Sequence, residues 1–330
     1  MRSSAAASTS QAATGNVDDL SGSAKHILAH ALSHRTKKSY FSCWQRYVAY
    51  CKDSHCTPKL PMSDVQLVNF LAHLFSNGYS LSTTASHSSA LSYLHKAMGF
   101  RDFGESFLLK QYFRGASNLK PATSDTRLPI TYVMLQSIIE ALPKVVKLYV
   151  HQIMFKAMCL LAFHGFLRIG EMCVKSSTLI SNVIKRGDIV FQYVASKLAG
   201  LEITLQQFKH STRPVTLFFP VHADCNMCAV TAINTYLSGT SHKSGPLFQF
   251  NDGQPVSYAF FNSHLKDCIS FLGYDTKLYK SHSFRIGAAT HATIQGYSED
   301  DIRKMGRWKS NALQNYVRMP RISLQVSHTE

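Results

Sequence analysis

Alternation of apolar and polar residues, the pattern of a strand with one buried face, is confined in this 330-residue chain to three neighbouring runs. They cover 189–194, 201–208 and 214–219, and they are rich in β-branched and aromatic residues. Turn signals stand at Arg186-Gly187-Asp188, around Gly200 and at 210–213. Every other patterned stretch repeats at helical spacing. Any sheet is therefore one small antiparallel one inside a mainly α chain, an α+β class.

The length suits two domains rather than one. Residues 1–20 are small and polar with no apolar period, the pattern of a disordered tail. Residues 21–119 predict a helical domain. Ile27, Leu28, Ala31 and Leu32 share a face over 26–34, and Tyr40, Trp44, Tyr47 and Val48 share one over 38–51. A third helix covers 63–74 behind a Ser63-Asp64 cap, a fourth starts at Ser80 or Ser82, and a short one covers 106–115. The polar, proline-bearing stretch 120–127 (KPATSDTR) is a linker, and 128–330 forms the second domain. There the pattern predicts helices over 131–141, 149–163, 229–237, 258–271, 282–294, 298–307 and 311–317.

Lys and Arg total 35 against 19 Asp and Glu, a net charge of +16, in a chain that is 45% hydrophobic. The apolar content excludes a wholly disordered basic protein, and the imbalance points to a polyanion, either nucleic acid or an anionic membrane surface. The excess is +7 up to Arg127 and +9 beyond it, so both domains carry it. The longest apolar run, Ala157–Phe163, is too short to span a bilayer. The N-terminus has no apolar core of a secretion signal, and Asp18 and Asp19 argue against a transit peptide. Eight scattered cysteines fit free thiols in a reducing compartment.

The chemistry is concentrated near the C-terminus: Ser281-His282-Ser283-Phe284-Arg285, then Gly306-Arg307-Trp308, then Tyr316. His282 and Arg285 are three apart and share a helix face. Arg168 follows a helix whose pattern says buried, and Glu171, three residues on, is its candidate partner. Lys209 ends the second alternating run. Two guanidinium groups, an imidazole, an ammonium and a phenol together suit a phosphate. Arginine forks its donors onto phosphate oxygens, and a phenol can be a covalent nucleophile.

The order Arg168, Lys209, His282-x-x-Arg285, Trp308, Tyr316 resembles the tyrosine recombinase (phage-integrase-like) family. The setting Gly-Phe-Leu-Arg-Ile-Gly-Glu around Arg168 is similar, and the likeness covers about 128–319. The first domain is similar in length and position to the family's SAM-like core-binding domain. The wording Gly-Arg-Trp-Lys-Ser … Tyr-Val-Arg most resembles recombinases of eukaryotic mobile elements, the Crypton and DIRS-like groups.

The resemblance implies a role for each position. Arg168 and Arg285 would clamp the scissile phosphate of double-stranded DNA, and His282 would bond a phosphate oxygen or help move a proton. Trp308 would donate its indole N–H, and Lys209 would protonate the departing 5′ oxygen. Tyr316 would attack phosphorus to leave a 3′-phosphotyrosine, with no cofactor, metal or ATP required. An ordinary tyrosine has a pKa of about 10, so cationic neighbours are needed. The family further implies a tetramer on paired sites and action in the nucleus. Trp308 precedes Tyr316 by eight positions where the common bacterial pattern has nine, an interval the Gly-Arg-Trp-Lys-Ser subgroup shares. Only fourteen residues follow Tyr316, which limits a C-terminal helix exchanged between protomers.

Other readings stay open. Lys197, near a strand end, competes with Lys209. His222, Cys225 and Cys228 have zinc-like spacing without an obvious fourth ligand. Tyr40, Trp44 and Tyr47 fit a helix core better than base stacking, while Lys37, Lys38 and Arg46 are candidates for the DNA backbone. A domesticated DNA-binding protein that no longer recombines is the alternative function. Relaxation of supercoils and a zinc-stabilised adaptor follow.

Overall fold

The computed structural model describes residues 20–120, 125–175, 183–206, 208, 213–308, 313–314 and 316–318. It divides into two units, Met1–Ser124 and Asp125–Glu330. The first is helical: α1 (Gly22–Ala29), α2 (His34–Asp53), α3 (Asp64–Ser76), α4 (Leu81–Ala97) and α5 (Phe107–Leu119). Each starts on a serine, Ser21, Ser33, Ser63, Ser80 or Ser106, whose hydroxyl accepts from an amide of the first turn. Ser63 completes a capping box with Gln66. The core joins Tyr47 and Cys51 of α2, Leu67, Phe70, Leu71 and Leu74 of α3, Leu91 of α4 and Leu109 of α5. Tyr47 is the buried member of the α2 aromatic repeat, and Trp44 packs partly against this core.

The helix expected over 26–34 is displaced. Ser21 starts α1 earlier and Ser33 opens α2 at His34, so the chain breaks between them. Ile27 and Leu28 are left exposed, and α1 buries nothing.

The second unit contains α6 (Tyr132–Val145), α7 (Tyr149–His164), β1 (Ile189–Val194), β2 (Lys197–Leu205), β3 (Val215–Pro220), α8 (Ala229–Ser238), α9 (Tyr258–Phe271), α10 (Ser283–Ile294) and α11 (Glu299–Gly306). The longest apolar run lies in α7, where every residue from Ala157 to Phe163 is buried. A helix apolar on all sides belongs at the centre of a core, and α6, α8, α9 and α10 contribute to the same cluster. The strands form one antiparallel sheet in the order β1-β2-β3, with Ile189 opposite Ile203 and Leu201 opposite Phe219. Leu201, Ile203 and Leu205 face the core, while Glu202 and Thr204 alternate outward. The fold is mainly α with one three-stranded sheet.

Gly200 is not the turn. The hairpin turns at Ala195 and Ser196, both left-handed (φ 47° and 63°), the twist that suits a tight two-residue connection. Gly200 lies inside β2 because β3 crosses closely. A Cβ there would come within 2.6 Å of the Phe218 ring and 2.9 Å of the Phe219 carbonyl oxygen. Strand β2 accordingly runs from Lys197 and ends at Leu205, before Phe208. Of the helix expected over 311–317, residues 311, 312 and 315 lie outside the described residues. Within them, the amides of Tyr316 and Val317 donate to the Leu313 carbonyl at 2.7 and 3.2 Å.

Among the described residues, no helix is long and apolar enough to cross a membrane.

Candidate active site

Helix α10 starts with His282 at its N-cap and places Arg285 in its first turn. The helix fits because Gly287 lies on the backbone of Ile130: a Cβ at 287 would sit 1.8 Å from the Ile130 carbonyl oxygen. Arg285 is wholly buried. One Nη donates to the Phe166 carbonyl and the other to the Gly306 carbonyl at 2.7 Å. Its guanidinium carbon stands 4.7 Å from the Trp308 ring centre and 5.6 Å from that of Tyr316. Burial, then the charges of Arg168 and Arg307, lower its pKa to about 9, so it stays a cation at neutral pH.

His282 Nε2 lies 2.9 Å from the Tyr316 hydroxyl. Burial first, then the charges of Arg127, Arg285 and Arg168, push this imidazole down to about 4. It is therefore neutral near pH 7. With its proton on Nδ1, Nε2 can accept the proton of the phenol; with its proton on Nε2, it donates to the phenol oxygen. The segment after Tyr316 is held at Arg318 by two bonds. The Arg318 amide donates to Thr290 Oγ1 of α10 at 3.0 Å, and Arg318 Nη2 donates to Asp125 at 3.3 Å. Asp125 also takes two side-chain bonds from Arg127, which bring its carboxyl down to about 2.

Trp308 reaches the cluster through a tight reversal. Helix α11 ends at Gly306, Arg307 adopts left-handed φ (55°), and the indole folds back over Gly306, where a Cβ would meet the ring at 1.8 Å. The indole lies edge-on to Phe166 and 4.7 Å from the Tyr316 ring.

Arg168 sits after the α7 terminus, at the start of a single helical turn, Ile169–Glu171. Its amide donates to Glu171 Oε2 at 2.9 Å and its Nη1 to Glu171 Oε1 at 3.1 Å. The carboxylate also accepts from Arg307 Nη2 at 3.1 Å. Glu171 is 5% exposed, so it is a buried anion between two guanidinium groups.

Six buried side-chain polar atoms of the described residues lack a hydrogen-bond partner, and three of them belong to this cluster: Arg285 Nε, Arg307 Nε and Trp308 Nε1. All three are donors. An orphaned buried donor costs about 1–3 kcal/mol, so a concentration of them fits an oxyanion such as a phosphate.

The structure therefore brings Arg168, His282, Arg285, Trp308 and Tyr316 together, with Glu171 beneath. Lys209, and His210 beside it, lie outside the described residues. Arg307, which the sequence marks only as part of Gly306-Arg307-Trp308, has no role in the family resemblance. Its signal was its place nine positions before Tyr316, beside a Gly that a close packing requires.

The remaining candidates lie elsewhere. Lys37 and Lys38 are exposed on α2. Arg46 is half-buried, with Nη1 3.1 Å from His87 Nε2 and its guanidinium 5.0 Å from the Tyr79 ring centre. Cys228 is the N-cap of α8, where its sulfur accepts from the amides of His222 and Thr231 at 3.3 and 3.4 Å. Cys225 is exposed, and no group of three or more metal-ligating side chains is placed to hold an ion among the described residues.

No protein-family model matches the chain, and no curated protein does. Solved structures do. A XerH site-specific recombinase bound to a palindromic difH substrate, in a post-cleavage complex, is 15% identical with a TM-score of 0.58 over 84% of this chain and 75% of its own. The Tn1549 transposon integrase in complex with circular intermediate DNA is 14% identical, with a TM-score of 0.56 over 91% and 94%. A lambda integrase dimer bound to a COC′ core site is 13% identical, with a TM-score of 0.56 over 91% and 78%. The chain has the fold of these recombinases and integrases.

Proposed function

We propose that the chain is a site-specific DNA recombinase that cuts and rejoins strands through Tyr316. The observation that carries this reading is the phenol of Tyr316 on His282 Nε2, with the Arg285 cation 5.6 Å from its ring. Tyr316 Oη attacks phosphorus, the phenol proton passes to neutral His282, and the bond to the 5′ oxygen breaks. The product is a 3′-phosphotyrosine, and attack by a 5′ hydroxyl reverses the step. Arg168 and Arg285 neutralise the charge that grows on the phosphoryl oxygens, a preorganised electrostatic effect.

Lys209 is the proposed acid for the leaving oxygen. Its neighbour Phe208 lies 6.0 Å from the Arg307 guanidinium. Lys197 is at the opposite end of β2, a nine-residue strand. At about 3.3 Å per residue that puts it well away.

The helical first unit is the proposed core-binding domain, with Lys37, Lys38 and Arg46 on the DNA backbone. Assembly is as a tetramer on paired sites. The Gly-Arg-Trp-Lys-Ser wording supports an origin in a eukaryotic mobile element of the Crypton or DIRS-like kind, and hence action in the nucleus.

One observation favours a second reading, a DNA-binding protein that keeps the fold without strand transfer. Both Nη groups of Arg285 are engaged by backbone carbonyls, and the side chain is sealed from solvent. A nicked suicide duplex incubated in EDTA separates the two. A covalent adduct from wild type and none from Tyr316→Phe supports the recombinase. Salt-sensitive binding without adduct, over several candidate sites, supports the binder.

A further inference from the structure

The arginines at this site share acceptors, and Arg307 takes part in every shared bond. Glu171 Oε2 accepts from Arg307 Nη2, while Glu171 Oε1 holds Arg168. The Phe166 carbonyl accepts from Arg307 Nη2 at 3.1 Å and also from Arg285. Arg307 Nη1 donates to the Gly165 carbonyl at 3.1 Å. The face of the same guanidinium lies toward Phe208, the residue before Lys209. One side chain thus ties the α7 terminus to the Arg168 turn, shares an acceptor with Arg285, and touches the residue beside the proposed acid.

We propose that Arg307 is a positioning residue that sets the spacing of Arg168 and Arg285 for a phosphate; this rests on the recombinase reading above. Arg307 reaches Arg168 through the shared Glu171 carboxylate and Arg285 through the shared Phe166 carbonyl, so its action on a phosphate is through the placement of those two side chains. Two features separate this role from that of an ordinary buried ion pair. Glu171 already has Arg168, so the carboxylate does not need a second cation for its own sake. The backbone also adopts a left-handed φ at Arg307, uncommon outside glycine, which turns the side chain back toward α7 while Trp308 folds over Gly306. The planar fork reaches two carbonyls and a carboxylate at once, a pattern a lysine ammonium cannot copy. Two guanidinium groups share one carboxylate and a third, Arg285, has only backbone carbonyls, so the cluster carries an excess of positive charge that a phosphate dianion complements.

The test uses the full chain in a Trp44→Phe background, where Trp308 becomes the sole tryptophan of the two. Arg307→Met and Arg307→Lys are compared with this parent for melting temperature and for inorganic phosphate affinity by Trp308 emission. Single-turnover adduct formation on nicked duplexes is measured at saturating DNA in EDTA. Arg307→Met is expected to lose several degrees of melting temperature and Arg307→Lys less, with both folded at the assay temperature and binding DNA equally well. Phosphate Kd should rise roughly tenfold in Arg307→Met, the size of one lost charge-assisted contact. The adduct rate at saturation should fall about 100-fold, the effect of a small misplacement of reacting groups. Arg307→Lys should recover part of both.

An Arg307→Met protein that folds and keeps its phosphate affinity overturns the proposal. So does a failure of both variants to fold at the assay temperature, which makes Arg307 a folding residue. A parent that shows no phosphate response at Trp308 overturns it as well. A parent that binds phosphate but forms no adduct on any duplex refutes strand transfer instead, and the phosphate affinities then decide the role of Arg307.

Discussion

Buried polarity is handled differently in the two units. In the helical unit, His95 is buried with both ring nitrogens engaged, Nε2 by the Met62 amide at 3.0 Å and Nδ1 on the Arg101 carbonyl at 2.7 Å. His87 likewise spans Thr83 and Arg46. Apart from the Tyr47 hydroxyl, every buried polar side-chain atom described there has a partner. The site of the second unit instead gathers orphaned donors, a neutral imidazole, and three arginines with one carboxylate that two of them share. A network of satisfied groups stiffens a scaffold, and a network short of acceptors is complementary to something anionic.

The sharpest way to break this contrast is Tyr316→Phe. It removes one oxygen from the cluster and should lower adduct formation by a factor on the order of 10^4 or more, while leaving the circular dichroism spectrum unchanged. Residual adduct at a comparable rate would mean that another nucleophile does the work.

Next in size is a pair of carboxylate removals. Glu171→Gln should lower stability by about 3 kcal/mol or more, because it takes the buried anion from two arginines. Asp64→Asn in the first unit loses an ion pair to an Arg101 side chain that is 70% exposed, and should lower stability by about 1 kcal/mol or less. Urea titrations that found equal losses would remove the distinction between the units.

Acid should act on the second unit through His282 and His164, both pushed to about 4, chiefly by burial. An unperturbed histidine titrates at about 6.5, so between these values the unfolded chain binds the extra protons. Stability conferred by keeping these rings neutral is complete above pH 6.5. It is lost as pH falls toward 4, with a slope of at most about 1.4 kcal/mol per pH unit for each ring. His164→Gln should flatten this slope in melting curves across that window.

The smallest effects concern the proposed DNA contacts of the first unit. Lys37→Ala and Lys38→Ala should each reduce the salt dependence of DNA binding by about one counterion. Arg46→Ala should reduce it as well and also lower the melting of the helical unit, since its guanidinium is engaged by His87 and Tyr79. Equal salt slopes for all three variants and wild type would move the backbone contacts elsewhere.

Much of the scaffold was legible because local rules and tertiary packing agree there. Ser63 was legible as a cap and is one, to which the fold adds Gln66, and 189–194 alternates as a strand and forms one. Gly200 misled because glycine in a strand can mean either a turn or a close crossing, and only Phe218 and Phe219 decide between them. The true turn has Ala195 and Ser196 in left-handed φ, which their residue types do not advertise. At the site, the order of Arg168, His282, Arg285, Trp308 and Tyr316 could be read along the chain. The sharing of Glu171 and of the Phe166 carbonyl by Arg307 could not, because those contacts join residues 136 and 141 positions apart.

The contact of Gly287 with the Ile130 carbonyl has a genetic consequence. A glycine codon becomes an alanine codon by a single base change, and the added methyl group has no room without moving α10. His282 and Arg285 ride on the first turn of that helix, so such an allele would encode a protein of nearly identical sequence with its reactive groups out of register. In a lineage where the proposed activity ceases to be selected, codon 287 is a place where one transversion silences the gene product while leaving Tyr316, Arg168, Arg285 and its reading frame intact.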